Sequence, residues 1–192
     1  FRVQLSVPGQ HNAFNALAAA TVGLTFKVPV KRIQQALSSF SSASKRMQVL
    51  KLDSVIVLND TYNSNPDSVM AALGVLGSIG TPGKKIAVLA DMLELGENSI
   101  EEHKRIGKAA KTSGVKCLLT YGPLSKHTYE SAATAQKSHY EQKAALSEDL
   151  FGLLSPGDVV LIKGSRGMKM EEVVAFITER FKISKTTPDQ AA

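Results

Sequence analysis

Four consecutive apolar residues, Val55-Ile56-Val57-Leu58, run into a polar loop, Asn59-Asp60-Thr61-Tyr62-Asn63-Ser64, and the loop runs into a helix signal. A short apolar run bounded by turn residues reads as a buried strand. After the loop, Val69, Leu73, Leu76 and Ile79 recur at helical spacing. Asn65 suits the N-cap, Pro66 the first helical position, and Asp67 the positive end of the helix. The loop therefore joins the carboxyl end of a strand to the start of a helix. Ligands of open α/β sheets bind at such places, and an acid there commonly holds a ribose. Asp60 stands at that point. The plain alternative makes Asn65-Pro66 only a cap and Asp60 only a solvated turn residue.

The rest of the chain repeats the pattern. Residues 47–52 and 55–59 form a hairpin around Asp53-Ser54, so the first strand is expected to be antiparallel. Further strands are expected at 85–91, 116–121, 138–141 and 158–163. Helices are expected at 66–79, 99–112, 124–135, 143–154 and 168–182. Such alternation specifies an α/β fold with a doubly wound, mostly parallel, Rossmann-like sheet. Ahead of it, Phe1, Val3, Leu5 and Val7 alternate like a half-buried strand. Pro8-Gly9 then turns into a helix over 12–24, with Phe14, Leu17, Ala18 and Val22 as its packed face. A second helix over 30–40 turns Ile33, Ala36, Leu37 and Phe40 inward.

The run from Ser38 to Ser44 is small and polar and reads as a linker. Residues 1–42 are thus expected to be the helical end of a second α/β domain, and 43–183 the main domain. Residues 184–192 are expected to be a disordered tail. The chain starts abruptly without Met and reads as a fragment.

The first 45 residues carry five bases and no acid, whereas eighteen bases and seventeen acids nearly cancel in the remainder. The early bases are scattered and no aromatic residues are interleaved as stacking platforms, which argues against nucleic acid. An anionic nucleotide or an acidic neighbouring domain fits better. No apolar run approaches the roughly 20 residues that span a bilayer. The single cysteine, Cys117, lies in an apolar run and reads as a buried strand thiol of a reducing, cytoplasmic compartment.

Asn12 and Asn15 lie three apart near a helix start, so they share a face. Their amides both donate and accept, as the edge of an adenine ring requires. A cap plus one surface amide is the plain alternative. Arg46 follows the linker, where a guanidinium can fork onto phosphate oxygens. Asp91 and Glu94 put two carboxylates beside a strand end, suited to Mg2+ or an amine, or to an ordinary packed loop. Lys163-Gly164-Ser165-Arg166-Gly167-Met168-Lys169 sets cations and a hydroxyl ahead of a helix, where anions are attracted. His103 and His127 lie on helices without a second ligand, so no metal site is expected.

"NDTYNSNPDSVMAAL" resembles the signature that opens the C-terminal domain of the Mur ligases, the ATP-dependent amide-forming enzymes of peptidoglycan synthesis. "PGQHNAFNALAAA", "SKRMQ", "ADMLELGENS" and "KGSRGMKMEEVV" agree in the same order. Within the family, Tyr-Asn-x-Asn-Pro is similar to the branch that adds D-alanyl-D-alanine to a UDP-muramoyl-peptide. The resemblance implies ATP as nucleotide, with His11, Asn12, Asn15, Arg46, Asp60 and Tyr62 at its site. It implies substrate contacts from Asn63, Asn65, Asp91, Glu94, Lys163, Ser165 and Arg166. Two positions depart from the family pattern: Ala90 and Gly167 stand where Gly and Ser are usual.

The reaction so implied passes through an acyl phosphate, which an amine then attacks. Its barrier falls mainly by positioning and by neutralising phosphate charge. No G-x-x-x-x-G-K-S/T phosphate loop occurs here. That loop and the Mg2+ ligands are expected in an upstream domain, so no catalytic residue is assigned, and the chain alone is expected to be an inactive monomer. Folylpolyglutamate synthase is a sibling alternative, but its loop is typically Asp-x-Ala-His-Asn-Pro. A receiver-type signalling domain would use Asp60, Asp91 and Lys163, yet Thr120-Tyr121-Gly122 offers no acid where the phospho-acceptor belongs.

Overall fold

The computed structural model describes residues 1–40 and 44–186. Helices α1 (Gln10–Thr25) and α2 (Val30–Ser39) come first, followed by the hairpin β1 (Gln48–Leu52) and β2 (Val55–Asp60). Then come α3 (Pro66–Ser78), β3 (Lys85–Ala90), α4 (Ser99–Thr112), β4 (Cys117–Tyr121), α5 (Ser125–Ser131), β5 (Gln136–Tyr140), α6 (Lys143–Leu153), β6 (Val159–Lys163) and α7 (Glu171–Thr186). The sheet order is β1-β2-β6-β3-β4-β5, antiparallel between β1 and β2 and parallel elsewhere. A mixed α/β sheet with an antiparallel first strand is thus what the alternating pattern produces.

Side-chain alternation assigns the two faces. Leu58, Ala87, Leu89, Leu118 and Leu161 point to the side covered by α3 and α4. Val57, Ile86, Val88, Leu119, Val160 and Ile162 point to the side covered by α6 and α7. Both faces are buried, which is why the strands read as continuous apolar runs. Strands β3, β4 and β5 advance one way across the sheet, and β6 returns to lie between β2 and β3. A right-handed crossover puts the returning helix on the opposite face.

Several boundaries differ from expectation. Residues 1–7 form no strand: Val3, Leu5 and Val7 are half-buried and alternate as expected, but no described strand pairs with them. Helix α1 packs through a different face. Ala20 is buried, and a Cβ at Gly23 would lie 2.9 Å from Ile33 Cδ1. Phe14, Leu17 and Val22 lie exposed instead. Small residues let α2 approach closely, so the contact forms on the small side. In α2, Ile33 is buried, Leu37 half-buried and Ala36 exposed, and Phe40, expected inward, is exposed just past the helix end.

Helix α5 stops at Ser131, short of the expected 135, and β5 starts early. Lys137 Nζ donates to the carbonyls of Tyr129 (2.7 Å) and Ala132 (2.8 Å), closing the helix end. Helix α7 begins late, at Glu171, after a 3-10 turn (Arg166–Met168), and it reaches Thr186, beyond the expected 182. The boundary drawn at 42 and the end of the expected tail lie outside the described residues.

Candidate functional site

Asp60 is the last residue of β2, and parallel pairing sets it directly beside Lys163, the last residue of β6. Lys163 Nζ donates to Asp60 Oδ2 at 2.6 Å and to the Asn63 carbonyl at 2.9 Å. Lys163 is 2% exposed. Burial pushes its pKa down, the Asp60 carboxylate opposes that, and nearby Arg46 adds to the depression. Asp60 Oδ1 accepts from the Met47 N–H at 2.9 Å. The carboxylate is therefore held at both oxygens.

Arg46 sits in a strained strap. Lys45 (φ 65°) and Met47 (φ 47°) on either side are both left-handed, a conformation that costs a non-glycine residue about 1–2 kcal/mol. The strap is fixed by the Tyr62 N–H donating to the Lys45 carbonyl (2.9 Å), by Met47 on Asp60, and by Lys45 Nζ on Glu171 Oε1 (3.0 Å). Strain so over-determined is characteristic of functional sites. It places the Arg46 guanidinium 4.0 Å from the centroid of the Tyr62 ring, with Arg166 at 5.6 Å from the same ring. Cations over an aromatic face are attracted by its quadrupole.

Asn65 caps α3 as its sequence position predicts. Its Oδ1 accepts from the Ser68 N–H (2.8 Å), and Ser68 Oγ accepts from the Asn65 N–H (3.0 Å). The opposite wall comes from the first forty residues. Gly9 (φ 102°) turns the chain into α1, where a Cβ would collide with the His11 ring at 2.6 Å. Asn12 Nδ2 donates to the Pro8 carbonyl at 2.6 Å.

Together these elements enclose a cavity of about 560 Å³. His11, Asn12, Asn15, Arg46, Asp60 and Tyr62 all line it, and so do Asn63, Asn65 and Lys163. Asp91, Glu94, Ser165 and Arg166 do not line it. Asp91 is 2% exposed, with Oδ1 accepting from the Ser125 N–H at 2.6 Å and its carbonyl from the Ser165 N–H at 3.0 Å. Ser165 Oγ accepts from Leu93 N–H (2.8 Å) and donates to the Ser64 carbonyl (3.2 Å). That hydroxyl ties three strand-end loops together. Glu94 is exposed on a left-handed residue, and Arg166 is exposed beside Tyr62.

Met47 and Ser64 line the cavity and were not singled out by sequence. The part played by the Met47 N–H depends on its left-handed backbone, for which an ordinary Met gives no signal. Ala90 fits where glycine is usual because its methyl faces Gly164, where a Cβ would approach it to 2.7 Å.

His103 is buried with both ring nitrogens engaged: Nδ1 donates to the Ser99 carbonyl (2.7 Å) and Nε2 accepts from the Met92 N–H (3.0 Å). Burial depresses its pKa, against the raising effect of the Ser99 bond and the Asp91 charge. Cys117 is buried, and burial pushes its thiol up, away from nucleophilic chemistry. Among the described residues, no three His, Cys, Asp or Glu side chains are grouped to hold a metal. No described helix is long and apolar enough to cross a membrane.

Residues 45–166 match the family model described as Mur ligase, glutamate ligase domain. The chain is 35% identical over 180 residues to the UDP-N-acetylmuramoyl-tripeptide–D-alanyl-D-alanine ligase of Bacillus subtilis, covering 91% of this chain and 39% of that protein. It is 36% identical over 180 residues to the Escherichia coli enzyme of the same name, covering 92% and 39%. In structure it is similar to the MurF ligase of Thermotoga maritima in complex with ADP, with a TM-score of 0.83 and 26% identity, covering 96% of this chain and 42% of that one. The chain thus spans about two fifths of the length of these relatives.

Proposed function

This chain belongs to the Mur ligase family, and from that premise we propose that it is the C-terminal part of an ATP-dependent ligase joining D-alanyl-D-alanine to UDP-N-acetylmuramoyl-tripeptide. The observation that carries the proposal is the cavity: the six residues expected to meet a nucleotide come from two separate stretches, residues 11–15 and 46–62, and line one space. The relatives' names supply the peptide substrates, and the ADP of the Thermotoga maritima structure supports a nucleotide as a ligand of the whole enzyme.

In this reading the cavity takes the adenosine end of ATP. Asn12 spends one amide N–H on Pro8, which leaves its carbonyl oxygen and second N–H for the adenine edge, beside Asn15. Asp60 accepts from the ribose hydroxyls. Arg46, at the ring of Tyr62, reaches the phosphates as they leave the cavity. The carboxylate that attacks the γ-phosphate is the tripeptide substrate's own, and the phosphate loop and the Mg2+ ligands are assigned to the part of the relatives that this chain does not span. The described residues form no metal group, so no step here runs through one. Asp91 and Ser165, which the resemblance gave to substrate, are engaged within the fold, so direct substrate contact is better sought from Asn63 and Arg166. The reading carries a cytoplasmic setting and a monomer with it.

The test is a phosphate-release assay on the full-length protein. Release should require ATP, UDP-muramoyl-tripeptide and D-alanyl-D-alanine together, and the 192-residue chain alone should give none. Release driven equally well by a single amino acid in place of the dipeptide would overturn the assigned acceptor. Turnover by the 192-residue chain would overturn the division of labour.

A further inference from the structure

Lys163 is explained neither by catalysis nor by ordinary stability. A buried ion pair is weak support for a fold, because replacing it with apolar residues is often neutral. Yet Lys163 is 2% exposed, lines the cavity, and spends two of its three N–H donors on Asp60 and on the Asn63 carbonyl. Its position follows from β6 returning between β2 and β3, which pairs it with Asp60 across 103 residues of sequence.

An ionised carboxylate has about four acceptor sites. Two are taken, one on each oxygen: Oδ1 by Met47 N–H and Oδ2 by Lys163 Nζ. One site per oxygen is left, which suits two neighbouring hydroxyls. Resting on the nucleotide reading of the cavity, we infer that Lys163 is a positioning residue for ribose selection. It fixes the plane of the Asp60 carboxylate so that the two remaining sites meet the 2′- and 3′-hydroxyls of a ribonucleotide. By holding the Asn63 carbonyl as well, it sets the loop beneath the sugar.

The experiment compares kcat/KM for ATP and 2′-deoxy-ATP in the full-length enzyme, for wild type, Lys163→Met and Lys163→Arg. Losing a hydrogen bond to a charged group lowers affinity by roughly ten- to hundredfold, so wild type should prefer ATP by about that factor. Lys163→Met should bring the two nucleotides within about twofold of each other. Lys163→Arg keeps the charge and should restore part of the preference. A Lys163→Met enzyme that keeps the wild-type ratio, however much its stability falls, would overturn the inference. If Lys163→Met does not fold, Lys163→Arg decides alone: an unchanged ratio overturns the inference, and a reduced one supports it. A wild type that does not distinguish the two nucleotides would instead remove the ribose reading of Asp60.

Discussion

Residues 44–186 leave few large apolar side chains exposed, with Leu58, Leu73, Leu118, Leu161 and Ile162 fully enclosed. Residues 1–40 bury only Ala20 and Ile33 among their apolar side chains, and leave Phe14, Leu17, Val22 and Phe26 exposed, the last at 77%. Both regions line the same cavity. The sheet supplies charges fixed by ladder register and strained backbone, whereas α1 supplies neutral amides from a helix with little buried area. Stability is not uniform across such a molecule. The contrast teaches that the charged half of the site is anchored on the buried sheet, while the amide half rests on a region that the described residues leave largely uncovered.

The contrast breaks or holds most clearly in core truncations. In the 192-residue chain, Leu161→Ala should cost about 2–5 kcal/mol, and Phe26→Ala should stay within about 0.5 kcal/mol. Urea unfolding measures both. Comparable costs would mean that the first forty residues are packed in solution as the sheet is.

Acid should act on the sheet region through His103. Its folded pKa is lowered by burial, so the unfolded chain binds the proton first as pH falls below about 6.5, the ordinary histidine value. Stability is therefore present above that pH and is lost as pH drops towards the depressed folded value. One differential proton gives a slope of at most about 1.4 kcal/mol per pH unit. His139, depressed mainly by burial, acts in the same direction. His103→Gln should flatten the acid limb of a denaturation series between pH 7.5 and 5. An unaltered limb would show that His103 is not the group responsible.

The smallest effect concerns the loop itself. Asn65→Ala should cost about 1 kcal/mol through the start of α3, and Asn65→Gly only a few tenths. Equal losses in the two variants, read from melting curves, would mean that the capping box is not what holds this end of the loop.

Much of this was legible in the sequence because it is local. The apolar run before Asp60, the Asn65-Pro66 cap and the alternation of strands with helices each follow from neighbouring residues. What escaped was non-local. The insertion of β6 between β2 and β3, which pairs Asp60 with Lys163, is a fact of topology. The same insertion sets Ser165 among three loops, so a hydroxyl that read as substrate-facing is engaged internally. The packed face of α1 was misjudged because size pointed to Phe14 and Leu17, while close approach favoured Ala20 and Gly23.

The central claim is that Asp60 holds the ribose of a nucleotide in this cavity. Its most direct test is the ATP KM of the full-length Asp60→Ala enzyme. Charge-assisted bonds of this kind are worth about 1.5–3 kcal/mol, so KM should rise roughly ten- to hundredfold, with D-alanyl-D-alanine use little changed. A folded Asp60→Ala enzyme with an unchanged ATP KM would contradict the claim and leave Asp60 as an anchor for Lys163 and the strap alone.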